Sequence, residues 1–339
     1  MSEPRSRPPG QPDGLTTLSS ILGQDAVVAM LRQALARGTL PHAILFAGPE
    51  GVGKRTTALA LAAERMCTAG LDEACGRCVG CFQVAAGTHP DLRREGLGLD
   101  ERGERRERTL IEQVRAVQAF LGGQALGGRG KIAIFEEAQA LTEEAQNALL
   151  KTLEEPPRGS LVVLVSHNAS RLLPTVRSRC QRVAFAPLRS ETLLALLRDG
   201  LGLGAEDAEF LSRYSDGSLA FAADPASLRE AHERATRILE AARSGSYPEI
   251  VCALRESLTT SRGVPLEMKA LLGIVRHRMR ASAGLVGQPE LTPRGETENL
   301  ISALHAAEAA YAAVVDFGRN ANRSLAAERM ALRIGLRVD

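Results

Sequence analysis

The chain has 339 residues, with 42 basic against 40 acidic side chains for a net charge of +2, and only 3% of its residues are aromatic. At about 150 residues per domain this length implies roughly two to three domains. The near-neutral balance excludes bulk electrostatic coating of nucleic acid, and the lack of tryptophan argues against a base-stacking platform. No apolar run reaches the roughly 18 to 20 residues of a membrane span. The polar, Pro-rich opening, residues 1–14, has no apolar signal region and reads as a disordered tail, so a soluble, cytoplasmic protein without membrane partners is expected.

Leu18 to Arg37 carries apolar residues at helical spacing and stops at Gly38. His42 to Ala47 is a short apolar run between Pro41 and Gly48 with little alternation, the pattern of a strand buried on both faces. Similar runs recur at Lys131–Phe135 and Leu161–Ser166, and helical patterns lie between them at Arg55–Met66, Thr109–Leu121 and Thr142–Glu154. Strands alternating with helices predict a parallel sheet covered on both faces by helices, an α/β domain. Arg93–Arg108 sets six arginines against five acidic residues and reads as a solvated loop or helix face. From Pro187 onward strand-like runs disappear and a small helical unit is punctuated by Gly200–Gly204 and Ser215–Ser218. A longer helical stretch begins near Pro225, with Gly284–Gly295 as its clearest loop. The expected organisation is a tail over 1–14, an α/β domain over 15–187, a small helical domain over 188–228 and an all-α domain over 229–339.

Gly48-Pro-Glu-Gly51-Val-Gly53-Lys54-Arg55 stands between a strand and a helix, the context a Walker A phosphate loop requires. Its glycines let backbone N–H groups turn toward phosphate oxygens, the helix N-terminus adds positive potential, and Lys54 can reach the outer phosphates. The motif calls for a hydroxyl directly after the lysine to help hold magnesium. Arg55 stands there instead, and Thr56 is one residue late, which on a helix turns the side chain by about 100°. After the run Ile132–Phe135, Glu136 and Glu137 supply the acidic pair of a second nucleotide half-site, with Glu136 where an aspartate linked to magnesium usually sits. Glu137 could polarise a water as a general base. The residues alone leave two readings open for the loop, a structural turn that no longer supports hydrolysis and a working site. The two glutamates are equally compatible with solvent-facing positions after a strand.

Cys67, Cys75, Cys78 and Cys81 follow the spacing C-x7-C-x2-C-x2-C. Four thiolates can close a tetrahedral zinc shell with no open position, so the insertion at 67–81 predicts structural zinc. Free cysteines or a redox pair are the competing readings, and Gly76 and Gly80 supply freedom for the turns. Cys180 and Cys252 stand alone and read as buried apolar residues. His89 in His89-Pro90-Asp91 reads as part of a fixed turn entering a strand, not as a ligand.

The stretch Leu141 to Pro157 (LTEEAQNALLKTLEEPP) and the stretch Arg171 to Cys180 (RLLPTVRSRC) resemble the clamp-loader branch of the AAA+ ATPases, the subunits of the bacterial DNA polymerase III clamp loader. The resemblance extends from Gly23-Gln24 to Asn320–Glu328, which is similar to the last helix of that family's C-terminal collar. It implies an AAA+ P-loop domain with a zinc insertion, a helical lid, and a helical collar that joins a ring with gamma/tau and delta to load the sliding clamp on primed DNA. It also implies three losses around the phosphates: Arg55, Glu136, and Ala220 after Gly217-Ser218-Leu219, where the ATP-hydrolysing subunits carry the sensor-2 arginine. Sensor 1 falls near Ser166-His167, a partial match. Together they imply that ATP and magnesium are not productively bound and that the chain has no ATPase activity of its own. Ser178-Arg179-Cys180 is intact, which implies that Arg179 acts in trans as an arginine finger on a neighbouring ATP site, the alternative being a salt-bridged or helix-capping arginine.

Overall fold

The computed structural model describes residues 15–69, 73–98, 109–222 and 224–243, with side chains described as far as 237. The tail 1–14, Cys252, the closing 320–328 motif and most of the helical domain expected over 229–339 lie outside the described residues. The chain separates into two compact units that divide between Thr192 and Leu193.

In the first unit five strands, β1 (Ala43–Ala47), β2 (Leu92–Glu95), β3 (Ile132–Phe135), β4 (Leu161–Ser166) and β5 (Gln181–Ala184), form one sheet in the order β2-β3-β4-β1-β5. Every neighbouring pair is parallel. Alternate side chains along a strand point to opposite faces, so each apolar strand feeds two cores. Ile44, Phe46, Ile132, Ile134, Val163 and Val165 pack with α1 (Asp25–Ala36), α2 (Lys54–Met66) and α3 (Val79–Ala86). Ala43, Leu45, Ala133, Phe135, Val162 and Leu164 pack with α4 (Ile111–Gly122), α5 (Glu143–Glu154) and α6 (Pro174–Ser178). Burial on both faces is why β1, β3 and β4 are apolar without alternation, as the sequence implied.

Two stretches differ from expectation. Leu18–Arg37 is not one helix: a 3-10 turn at Leu18–Ser20 is followed by a break, and α1 starts at Asp25. The break falls at Gly23, whose φ is 75° and where a Cβ would come within 2.7 Å of Leu188. Arg93–Glu95 is not a solvated loop or helix face but part of β2, an edge strand beside β3. Edge strands tolerate charged side chains, and Leu92 and Arg93 are only half-buried there. Residues 99–108 of the same charged segment lie outside the described residues.

The sheet order brings the C-terminal ends of β1, β3 and β4 side by side, the edge of a parallel sheet where ligand sites form. Helix α7 (Ser190–Ala195) carries the division between the units. Beyond it, a π-helical turn (Leu196–Gly200), α8 (Ala205–Tyr214) and α9 (Pro225–Arg243) bury Leu197, Ala208, Leu211, Leu228, Ala231 and Ala235. Among the described residues no helix is long and apolar enough to cross a membrane.

Candidate functional site

The loop Gly48–Gly53 leaves the end of β1 and delivers Lys54 as the first residue of α2. Gly51 and Gly53 hold φ of 71° and 93°, backbone that side chains disfavour. At Gly48 a Cβ would lie 2.4 Å from the Phe185 carbonyl oxygen, so the loop passes directly against the chain leaving β5. Gln24 fastens the same junction: its buried amide donates to the carbonyls of Ala186 (2.7 Å) and Val52 (3.3 Å). Lys54 is itself buried, and its ammonium donates to the carbonyls of Gly48 (2.7 Å) and Pro49. Burial pulls its pKa down to about 8, against the opposing pull of Glu50.

Arg55 and Glu136, which depart from the motif separately in sequence, meet in space. The Arg55 Nε lies 3.1 Å from Glu136 Oε2. On the other side Arg94, from β2, places two guanidinium nitrogens 2.7 Å from Glu136 Oε1. The sheet sets this up, because Arg94 and Glu95 stand opposite Ile134 and Phe135, and the Glu136 N–H extends the ladder by donating to the Glu95 carbonyl at 2.8 Å. Glu136 is only 12% exposed. Arg55 and Arg94 also line a cavity of about 430 Å³ with Thr16, Thr56 and Leu59. Glu137 is half-buried at the start of the following 3-10 turn. At the end of β4, Ser166 is buried and its hydroxyl accepts from the Asn168 N–H at 3.1 Å.

The four cysteines converge. Cys67 ends α2, Cys75 follows in the loop, Cys78 caps α3, and Cys81 lies in its first turn, with all four sulfurs within 4.8 Å of one another. Zinc–sulfur bonds of about 2.3 Å in a tetrahedron set sulfurs about 3.8 Å apart, and Cys67 and Cys78 are at 3.9 Å. The donor set therefore fits a tetrahedral thiophilic ion. The N–H groups of Cys75, Arg77 and Cys81 point at the sulfurs of Cys67, Cys75 and Cys78, at 3.3 to 3.5 Å. Burial pushes every one of the perturbed thiols upward, but at Cys78 hydrogen bonds from Thr68 and Cys81 outweigh it and bring the pKa down to about 5, while Cys67 and Cys81 stay high. Gly76 has a left-handed φ of 68° as the turn requires. Gly80 serves differently: a Cβ there would lie 2.3 Å from the Met66 carbonyl oxygen, so it lets α3 press onto the end of α2. His89 is not in the cluster; its Nδ1 accepts from the Asp91 N–H at 3.1 Å, making the turn expected of His-Pro-Asp.

Arg179 follows α6, whose position is fixed from α5 by one residue. Buried Gln146 accepts from the Leu173 N–H at 2.6 Å and donates to the carbonyls of Leu141 (3.1 Å) and Arg171 (3.3 Å). Arg179 then donates to the Thr175 carbonyl at 3.0 Å and pairs with Glu154, at the end of α5, at 2.6 Å. Arg179 is half-buried, its side chain 35% exposed, and Glu154 is exposed at 49%. Cys180 next to it is buried, and burial pushes its thiol up to about 12.

Three buried polar residues that organise these sites have no signature in hydrophobic spacing. Gln24 and Gln146 stand inside the stretches that carry the family resemblance, which is the only signal that could have marked them. Asp91 is fully buried and accepts from the N–H groups of Leu126 (3.0 Å) and Gly127 (2.6 Å), tying the loop before β3 to the start of β2.

A parallel five-stranded sheet with helices on both faces and a glycine loop between β1 and α2 makes this an α/β P-loop domain. Residues 23–189 match the family described as "DNA polymerase III, delta subunit". The chain is 40% identical over 196 residues to the DNA polymerase III subunit delta' of Pseudomonas aeruginosa, covering 56% of this chain and 57% of that one. It is 34% identical over 173 residues to subunit delta' of Bacillus subtilis, covering 50% of each. A tau subunit from Salmonella typhimurium is 31% identical over 209 residues, covering 60% of this chain and 31% of that one. The chain thus spans about half the length of the delta' relatives it matches, and over that part it is similar to them.

Proposed function

We propose that this chain serves as a delta-prime-type stator of the replicative clamp loader. It assembles with gamma/tau and delta subunits in the cytoplasm, takes part in loading the sliding clamp on primed DNA, and turns over no ATP itself. The observation that carries this reading is the 3.1 Å contact between Arg55 and Glu136, which commits to each other the two positions a hydrolytic site needs for magnesium. Arg179 is the group offered to the neighbour: a guanidinium at the exposed end of α6 can meet charge developing on a phosphoryl group bound by an adjacent subunit. Residues 188–228 are read as lid and 229–339 as collar, the collar making the ring contact. The cysteine cluster is read as a structural zinc site that clamps α3 to α2. Metal analysis of the purified chain should then find about one zinc per chain, lost together with much of its thermal stability when Cys78 and Cys81 become serine.

Co-purification of the full chain with a gamma/tau-type motor subunit and delta tests the assignment, because a chain that forms no complex with them is not a stator. The tau relative supports a second reading, an ATP-hydrolysing motor subunit. Steady magnesium-dependent ATP turnover by the isolated chain would establish that reading instead.

A further inference from the structure

The 3-10 turn Leu18–Ser20 touches both α1 and α2, and a small set of charged side chains stands where they meet. Glu64 comes from α2, Arg32 from α1 and Glu73 from the loop before Cys75. One Glu64 oxygen, Oε1, accepts from the Leu18 N–H at 3.0 Å. The other, Oε2, is enclosed and meets no donor among the described residues. Arg32 is the cation that faces it, but that guanidinium is drawn to Glu73, its Nη2 lying 3.3 Å from Glu73 Oε1, and its own Nε is enclosed without an acceptor. Glu73 also accepts from the Ser19 hydroxyl. A carboxylate at position 64 thus has one N–H for its two oxygens, a second carboxylate nearby and a cation committed elsewhere. Leu18 is fully buried, so water does not reach this junction from the turn while it is closed. Enclosure without enough donors disfavours the charged form of a carboxyl. Burial pushes the Glu64 carboxyl up to about 7 against the Leu18 N–H and Arg32, and Glu73 adds to the rise.

We propose that Glu64 is a proton-operated latch on the turn Leu18–Ser20: protonated, it keeps the turn closed over α2, and ionised, it favours an open turn in which the carboxylate reaches water. Opening returns the carboxyl to its ordinary 4.5, so the closed form holds the proton more tightly than the open one. Raising the pH from about 4.5 to about 7 therefore shifts the balance toward opening, and above about 7, where both forms are ionised, a further rise has no effect. Arg32 from α1, Glu73 from the loop and the Leu18 N–H from the turn are the described groups that face Glu64 and set this balance. Leu15 and Thr16 lead into the turn and wall a cavity of about 430 Å³ with Arg55, Thr56 and Arg94, so the latch governs access to the outer side of the first turn of α2. It depends only on side chains within this domain, and assembly with other subunits can succeed or fail independently of it.

The test is amide hydrogen exchange at Leu18, Ser20 and Ile21, whose N–H groups are bonded while the turn is closed. It is measured on the full chain and on Glu64→Gln from pH 5 to pH 8, with rates corrected for intrinsic base-catalysed exchange. Glutamine keeps a carbonyl to accept from Leu18 but cannot ionise. Every other titrating group is common to the two chains, so the ratio of their opening constants reports Glu64 alone. That ratio, wild type over variant, should rise by up to about tenfold per pH unit between pH 5 and pH 7 and level off above, roughly fiftyfold in all. A ratio that changes by less than about threefold over the whole range would overturn the proposal. Should the variant not fold, the Glu64 carboxyl carbon of the wild-type chain, followed by carbon-13 NMR, decides: a midpoint near 7 is expected, and one near the ordinary 4.5 overturns the latch.

Discussion

Two arginine–glutamate contacts frame the α/β domain, and they differ in how many partners the carboxylate has and how much water surrounds it. At the phosphate loop, Glu136 is 12% exposed and clamped between guanidiniums from α2 and β2. At the far end of α5, Glu154 is 49% exposed and holds the single guanidinium of Arg179. An exposed single pair stabilises by less than about 1 kcal/mol because water competes for both ions, so Arg179 can leave Glu154 for a better anion. A carboxylate shared by two arginines away from water cannot be abandoned so cheaply, since removing it leaves like charges facing one another. One contact is therefore built to stay closed and the other to open, the pairing that the proposed stator with a trans arginine would use.

The largest expected effect breaks the contact built to open. In the reconstituted complex, Arg179→Ala should lower DNA-stimulated ATP turnover by on the order of 10³, while the urea midpoint of the isolated chain barely moves. Turnover that is unchanged by Arg179→Ala would assign this arginine to Glu154 alone. Next is the contact built to stay closed. Glu136→Gln keeps the shape but removes the charge between Arg55 and Arg94, and should destabilise the chain by about 1 to 3 kcal/mol, discounted for the exposed outer face of Arg55. Chemical denaturation reads this directly, and a loss below the range measured for an exposed pair would erase the contrast between the two sites.

A smaller effect separates the regions by pH. Burial holds Lys54 at about 8 in the folded chain against its ordinary 10.5. Between those values the unfolded chain carries more protons than the folded one, so this group makes stability rise with pH across that window. Chemical denaturation at pH 8 and at pH 10 reads that rise, and Lys54→Met should abolish it.

How much of this was legible in sequence depends on whether a residue's role is local. The strands β1, β3 and β4 are apolar on both faces and could be read from composition, and the cysteine cluster could be read from spacing because its ligands lie within fifteen positions. β2 could not: Leu92-Arg-Arg-Glu95 has the composition of a loop, and only its place at the sheet edge beside Ile132–Phe135 makes it a strand. β5, Gln181–Ala184, buries Val183 alone and is similarly silent. The Arg55–Glu136 contact was visible only as two separate departures from a motif. Their juxtaposition depends on β1 and β3 lying in one sheet with β4 between them, and the third member, Arg94, sits in the very strand that periodicity missed. Gln24, Asp91 and Gln146 were invisible to hydrophobic pattern for a related reason, since each acts through backbone partners that are distant in the chain.

The smallest expected effect tests whether Glu154 merely neighbours Arg179 or also competes for it. Glu154→Gln removes an exposed carboxylate from a pair that also leaves Arg179 its bond to the Thr175 carbonyl. Stability should change by no more than about 0.5 to 1 kcal/mol. If Glu154 holds the finger away from the neighbour's phosphates before assembly, the same substitution should lower the motor-subunit concentration needed for half-maximal DNA-stimulated turnover, by up to about fivefold, with the maximal rate unchanged. A rise in the required concentration would mean that Glu154 orients Arg179 toward the neighbour, making the pair a positioning device. The direction of this small shift therefore distinguishes a contact that must break from one that must persist, a distinction the larger Arg179→Ala effect cannot make.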